Sequence, residues 1–170
     1  VNNVLRISAG EIYSTILYVN GARGNNAYTF YPDINGNFVT RNINNGITNM
    51  FLESDYTWVF FSLDAPAYFG KDNIYVNGMF NNYAKTDEYK LEYNEKTRMY
   101  EKAIMMKQGF NNYMYVLADK SGKVNGKDAI DGNFYQTENV YNIFVYYRQN
   151  NERYDRVIGR GSANSEDIIN

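Results

Sequence analysis

Asn73-Ile74-Tyr75-Val76-Asn77-Gly78-Met79-Phe80-Asn81-Asn82-Tyr83 is the stretch whose reading decides the fold class. Its first five residues alternate as a β-strand does. An Asn-Gly step then turns the chain, and a short aromatic loop ends on Tyr83. A similar succession, Gln108-Gly109-Phe110-Asn111-Asn112-Tyr113-Met114-Tyr115, leads into another strand over 113–119.

Working outward, the period of two recurs between short punctuating segments. Strands are expected at Val4–Ser8, 15–20, 28–31 and 38–41. Pro32-Asp33-Ile34-Asn35-Gly36-Asn37 carries an Asn-Gly step that favours a type I′ turn, because both central residues need positive φ; 42–49 reads as a loop. The strongest strand is 56–63, with Tyr56, Trp58 and Phe60 on one face and Val59, Phe61 and Leu63 on the other. Apolar groups on both faces imply a central strand, or one covered by a second layer. In 89–93, Tyr89, Leu91 and Tyr93 are expected inward, with Lys90 and Glu92 outward. A hairpin loop at 94–98 precedes a strand over Met99–Lys107, and 120–126 is a turn-rich loop. Late strands are expected at 141–148 and 153–158, then a frayed tail over 162–170. No segment sustains a helical apolar period. Ten or eleven strands at this spacing predict an all-β sandwich.

Composition agrees. The chain has 170 residues with 18 Tyr and 26 Asn. Tyr suits a half-buried pleated surface, and Asn suits tight turns. The net charge is −2, and the 17 basic residues form no run, which argues against nucleic-acid binding. No apolar stretch is long enough for a membrane-spanning helix. Val1 is not an initiator Met, so the chain is expected to be a processed product or a fragment. With neither Cys nor His, disulfides, thiolate metal sites, Cys nucleophiles and imidazole chemistry are excluded. An enzyme is therefore not expected, and neither metal nor cofactor.

The candidate chemistry is sparse. Asp33 to Gly36 invites a calcium reading, but an EF-hand loop needs Gly at its sixth position and Glu at its twelfth. Gly36 is fourth and Asn44 twelfth, so the turn reading prevails. The pairs Asp87/Glu88 and Glu166/Asp167 lie in loop or tail sequence, and nothing sets them across a cleft as a glycosidase requires. Tyr83 at a loop has the form of a residue that stacks on a sugar ring, or of a Tyr that caps the core. Arg148, Glu152, Arg153, Asp155, Arg156 and Arg160 bring alternating signs to the last strand, as a solvated face or a protein-docking strip would, with Arg148, Arg153, Asp155 and Arg156 the candidate strip.

Two resemblances add to this. The Gly-Met-Phe-Asn-Asn-Tyr step resembles carbohydrate-binding modules of the glycogen-binding kind, which implies an immunoglobulin-like, early-set sandwich. On that resemblance Tyr83 stands at a stacking position and Asn139 at a ligand-facing Asn. Met114, however, replaces a ligand-contacting Lys, and no aromatic stands at 120–123 for a second platform.

The wider resemblance rests on Tyr31-Pro32-Asp33-Ile34-Asn35-Gly36-Asn37-Phe38-Val39, on 55–63, and on Tyr93-Asn94-Glu95-Lys96-Thr97 with Met99-Tyr100-Glu101. It also rests on Lys107-Gln108-Gly109-Phe110, on Phe134-Tyr135-Gln136-Thr137-Glu138-Asn139, and on the closing 145–148 and 152–156. Together these resemble the carboxyl-terminal part of the type IX secretion system plug protein family, once a Bacteroidota domain of unknown function. That resemblance implies a non-enzymatic, periplasmic protein docked on an outer-membrane translocon, with no catalytic residues to carry over. The expected organisation is an N-terminal β segment over 1–53, whose strands either pack on the sandwich or belong to an upstream domain, a sandwich over 54–160 and a flexible tail over 161–170. The rival expectation is a polysaccharide-binding module using Tyr83 and Asn139.

Overall fold

A computed structural model of the chain describes residues 3–30, 33–42, 52 and 54–168. It is all-β and divides into two compact units, 1–133 and 134–170. The first holds β1 (Val4–Ser8), β2 (Tyr13–Leu17), β3 (Asn20–Gly21), β4 (Phe38–Thr40), β5 (Tyr56–Asp64), β6 (Asn73–Asn77), β7 (Glu92–Asn94), β8 (Met99–Lys107), β9 (Gly109–Asn111) and β10 (Met114–Ala118). The second holds β11 (Val140–Tyr147) and β12 (Arg156–Asn164).

In the first unit the main sheet runs β1-β2-β5-β8-β7, with β3 also on β5. β2 and β3 lie parallel to β5, and the other pairings are antiparallel. β6 and β10 pair separately, as do β4 and β9. One core joins these layers: Phe61 and Leu63 of β5, Ile104 of β8, Ile74 and Val76 of β6, Leu117 of β10, and Ile130. Fully burying one such side chain stabilises by roughly 1.5–3 kcal/mol.

β5 is central, as its two apolar faces predict. Thr57, Val59, Phe61 and Leu63 point into the core. The other face is not covered to the same degree: Tyr56, Trp58 and Phe60 are 56%, 37% and 41% exposed.

The Asn-Gly turn forms, with Asn35 at φ 54°, Gly36 at φ 74°, and the Asn37 amide donating to the Ile34 carbonyl at 3.1 Å. It does not close the expected hairpin. Residues 28–30 are irregular, and Tyr31 and Pro32 lie outside the described residues. β4 pairs instead with β9. The closeness of that pairing explains Gly109, whose φ is 151° and where a Cβ would overlap the Val39 carbonyl. β9 itself was not anticipated. The loop expected at 42–49 falls, beyond Asn42, outside the described residues.

β1, β2 and β3 belong to the main sheet, and Leu17 sits in the core, so the early strands pack on the sandwich, the first of the two expectations for them. The division falls after residue 133 rather than at 53/54 and 160/161. β12 runs through Asn164, into the stretch read as tail.

The second unit is a hairpin. β11 and β12 pair antiparallel with a bulge after Val145. Its open end is tied by the Ser165 amide donating to the Asn139 carbonyl and the Asn139 amide donating to Ser165 Oγ, both at 2.9 Å. Its strand residues are almost all exposed.

Candidate functional site

Three turns of the first unit meet around Tyr83. Gly78 has extended backbone, yet a Cβ there would lie 2.7 Å from the Asn112 carbonyl oxygen, so two loops touch where only glycine fits. The buried Asn81 side chain holds the next turn, accepting from the Gly78 amide at 3.1 Å and donating to the Val76 carbonyl at 3.1 Å. Asn82 and Tyr83 then take positive φ, 50° and 56°. A left-handed Tyr is unusual and costs free energy. The Tyr83 amide donates to the Gly78 carbonyl at 3.0 Å, and its carbonyl accepts from Asn77 Nδ2 at 3.3 Å.

The Asp33–Asn37 turn joins this cluster. The Asn112 amide donates to the Asn37 carbonyl at 3.1 Å, and Asn112 Nδ2 donates to Asp33. The Tyr83 hydroxyl lies 3.8 Å from where a Gly36 Cβ would stand, so the ring leans on the Asn35–Gly36 turn while 45% exposed. Asp33 Oδ1 is spent on the Asn35 amide at 2.7 Å. Asp33 therefore serves the turn, in keeping with the turn reading. No cluster of metal-ligating side chains occurs among the described residues.

The residues that the sugar reading adds to Tyr83 are each accounted for locally. Asn139 lies in the second unit, where its Nδ2 donates to the Thr137 carbonyl at 2.9 Å. Met114 is 45% exposed. Around 120–123, Asp119 Oδ1 takes up the Ser121 amide and hydroxyl at 2.8 and 2.6 Å and the Lys123 amide at 3.1 Å. These bonds, led by that from Ser121, hold the Asp119 carboxyl below its usual pKa.

The arginine strip folds onto itself at the tip of the hairpin. Arg148 grips Asp155 through two hydrogen bonds, Nε to Oδ1 at 2.8 Å and Nη2 to Oδ2 at 3.0 Å. Arg156 pairs with Glu152 at 2.9 Å. Arg153 is exposed between them. Bidentate geometry orders the turn, although pairs this exposed contribute little to stability.

Sequence reading missed two features. One is the exposed row of Tyr56, Trp58 and Phe60. The other is a polar knot linking β3 to β10, in which Asn20 Oδ1 accepts from the hydroxyls of Tyr113 at 2.9 Å and Tyr115 at 2.8 Å. Asn3 Nδ2 donates to the Tyr113 hydroxyl at 2.6 Å, and Asp131 Oδ2 accepts from the Tyr115 amide at 2.6 Å. Burial pushes the Tyr113 and Tyr115 pKa values up, and burial likewise raises that of Asp131, against the pull of the Tyr115 amide and Arg23. The abundance of Asn and Tyr was the available signal, but spacing alone does not pair residues this far apart. A shallow depression of about 560 Å³ lies over Glu92–Lys96 and Glu101, but Glu101 is already held by Asn94 Nδ2 and Thr97 Oγ1, each at 2.8 Å.

No helix among the described residues is long and apolar enough to cross a membrane, which does not bear on β-barrels. No family model matches the chain, and no curated protein matches it. Among solved structures it is similar to the crystal structure, at 2.30 Å resolution, of a hypothetical protein from Parabacteroides merdae ATCC 43184. The two are 32% identical with a TM-score of 0.77 over 95% of this chain. The match covers 40% of that protein, so the chain spans well under half of its length.

Proposed function

We propose that this chain is a non-enzymatic protein-docking module, part of a type IX secretion plug protein that seats on an outer-membrane translocon from the periplasm. The observation that carries the docking reading is the hairpin β11–β12. Its register sets Tyr141, Ile143 and Val145 on one face and Val140, Phe144 and Tyr146 on the other, all about half exposed or more. A two-stranded hairpin is marginal alone, and apolar groups on both faces suit an arm that a partner covers. The type IX assignment comes from the sequence resemblance. A carbohydrate-binding module is the rival, favoured by exposed Tyr83 and disfavoured by Met114 in place of a basic residue and by the lack of an aromatic at 120–123.

The test is co-purification of the tagged full-length protein with the translocon. Ile143→Asp and Tyr146→Asp are expected to abolish recovery, and Tyr83→Ala to leave it intact. Recovery unaffected by the hairpin changes defeats the reading. Millimolar or tighter binding of malto-oligosaccharide, lost in Tyr83→Ala, establishes the rival.

A further inference from the structure

We propose that the outer face of the β1-β2-β5-β8-β7 sheet is a self-association surface that takes a second copy of this chain. This goes beyond the docking reading, which concerns the hairpin.

The pairing registers define the face. Trp58 lies opposite Met105 and beside Ser14, while Phe60 lies opposite Ala103 and beside Ile16. Tyr56 is opposite Lys107 at one end of the row, and Ser62 is opposite Glu101 at the other. The centre on β5 and β8 is therefore apolar, with Lys107 at one end and Glu101, opposite Glu92 of β7, at the other. The Lys107 ammonium stands 6.0 Å from the Tyr56 ring centroid, and Glu101 is oriented by Asn94 and Thr97.

That arrangement is self-complementary in one orientation. Two copies can stack face to face, about 10 Å apart, on a two-fold axis running across the strands at Val59 and Ile104. Trp58 then meets Phe60 of the second copy, Met105 meets Ala103 of the second copy, and Lys107 meets Glu101 of the second copy. Each contact occurs twice. At the β1 edge Arg6, which pairs with Ile16, falls on Ser8 of the second copy rather than on another arginine. An axis along the strands instead sets the two lysine ends together. Charge pattern thus selects a second copy in antiparallel orientation. The footprint, five strands wide by roughly 20 Å along β5, is at the low end of stable interfaces, so a weak, reversible dimer is expected.

Trp58 is the single tryptophan of the chain and lies in the centre of the face, so its fluorescence reports occupancy. The experiment is sedimentation equilibrium with parallel Trp emission from about 5 to about 500 μM. The expected result is a monomer–dimer equilibrium, with emission moving to shorter wavelength as dimer accumulates. Phe60→Ser is expected to weaken association at least ~10-fold. Lys107→Glu and Glu101→Lys are each expected to weaken it by roughly 5-fold or more, and the double exchange to restore it to within about 3-fold. Circular dichroism of each variant separates loss of association from loss of fold, and the charge restoration succeeds only if the chain folds. A monomer at every concentration overturns the proposal, as does a dimer indifferent to Phe60→Ser or a double exchange that does not recover. A monomer whose translocon recovery is lost in Trp58→Ser assigns the face to that partner and equally overturns self-association.

Discussion

Tyr115 on β10 donates its hydroxyl at 2.8 Å to Oδ1 of Asn20, which lies 95 residues earlier on β3. Tyr113 shares the same acceptor at 2.9 Å. One short side chain thereby satisfies two phenols and ties the amino-terminal strands to the second layer. Removing it leaves both phenol protons without that acceptor, and Tyr113 keeps only the bond it accepts from Asn3 Nδ2. Asn20→Ala is expected to cost about 2–4 kcal/mol in denaturant unfolding. Tyr115→Phe should cost less in the Asn20→Ala background than alone; strict additivity would show that the knot contributes nothing.

Asp131 makes a pH-dependent contribution. Burial raises its folded pKa above the unfolded value. The folded state therefore holds the proton more tightly, and the stability this provides is complete below the unfolded pKa and lost as pH rises through the folded pKa. Asp131→Asn removes the titration while keeping an oxygen for the Tyr115 amide. The stability difference is expected to shift toward the Asn variant as pH rises from about 4. Parallel pH profiles of the two proteins would refute this.

Gly109 sets the approach of β4 to β9. Its φ of 151° and the clash of any Cβ with the Val39 backbone make Gly109→Ala costly, by about 2 kcal/mol or more. The loss should be local first: amide exchange at Arg41, bonded to the Gln108 carbonyl at 3.0 Å, is expected to rise most. Wild-type protection at Arg41 in the variant would contradict this account.

Arg98 closes the β7–β8 hairpin at φ 59°, exposed, with its amide donating to the Asn94 carbonyl at 2.7 Å. A glycine takes this conformation without Cβ strain. Arg98→Gly is expected to raise stability by about 0.5–1 kcal/mol, read as a higher melting temperature. A lower melting temperature would mean that the arginine side chain makes a compensating contact.

β8 was legible because Met99–Lys107 is bounded by a turn encoded within 94–98 and by Gly109. The Asn35–Gly36 turn was legible for the same local reason. The strand expected at 28–31 failed because a turn fixes only the reversal of the chain, and β4 found a better-fitting edge in β9. The candidate site was legible in part. Tyr83 is an exposed loop residue as read, but the touching of its turn by the loop of Asn112 at Gly78 depends on where distant segments come to rest.

Local sterics and side-chain volume set the period of two and the turns among the described residues, and a linear chain carries that information on its own. Folding in three dimensions decided which strands pair, that β2 runs parallel to β5, and which face of Tyr56–Asp64 meets water. Both faces of β5 are apolar, so alternation assigns neither to the core. That choice belongs to the residues brought opposite it, and their positions follow from long-range burial rather than from neighbours in sequence.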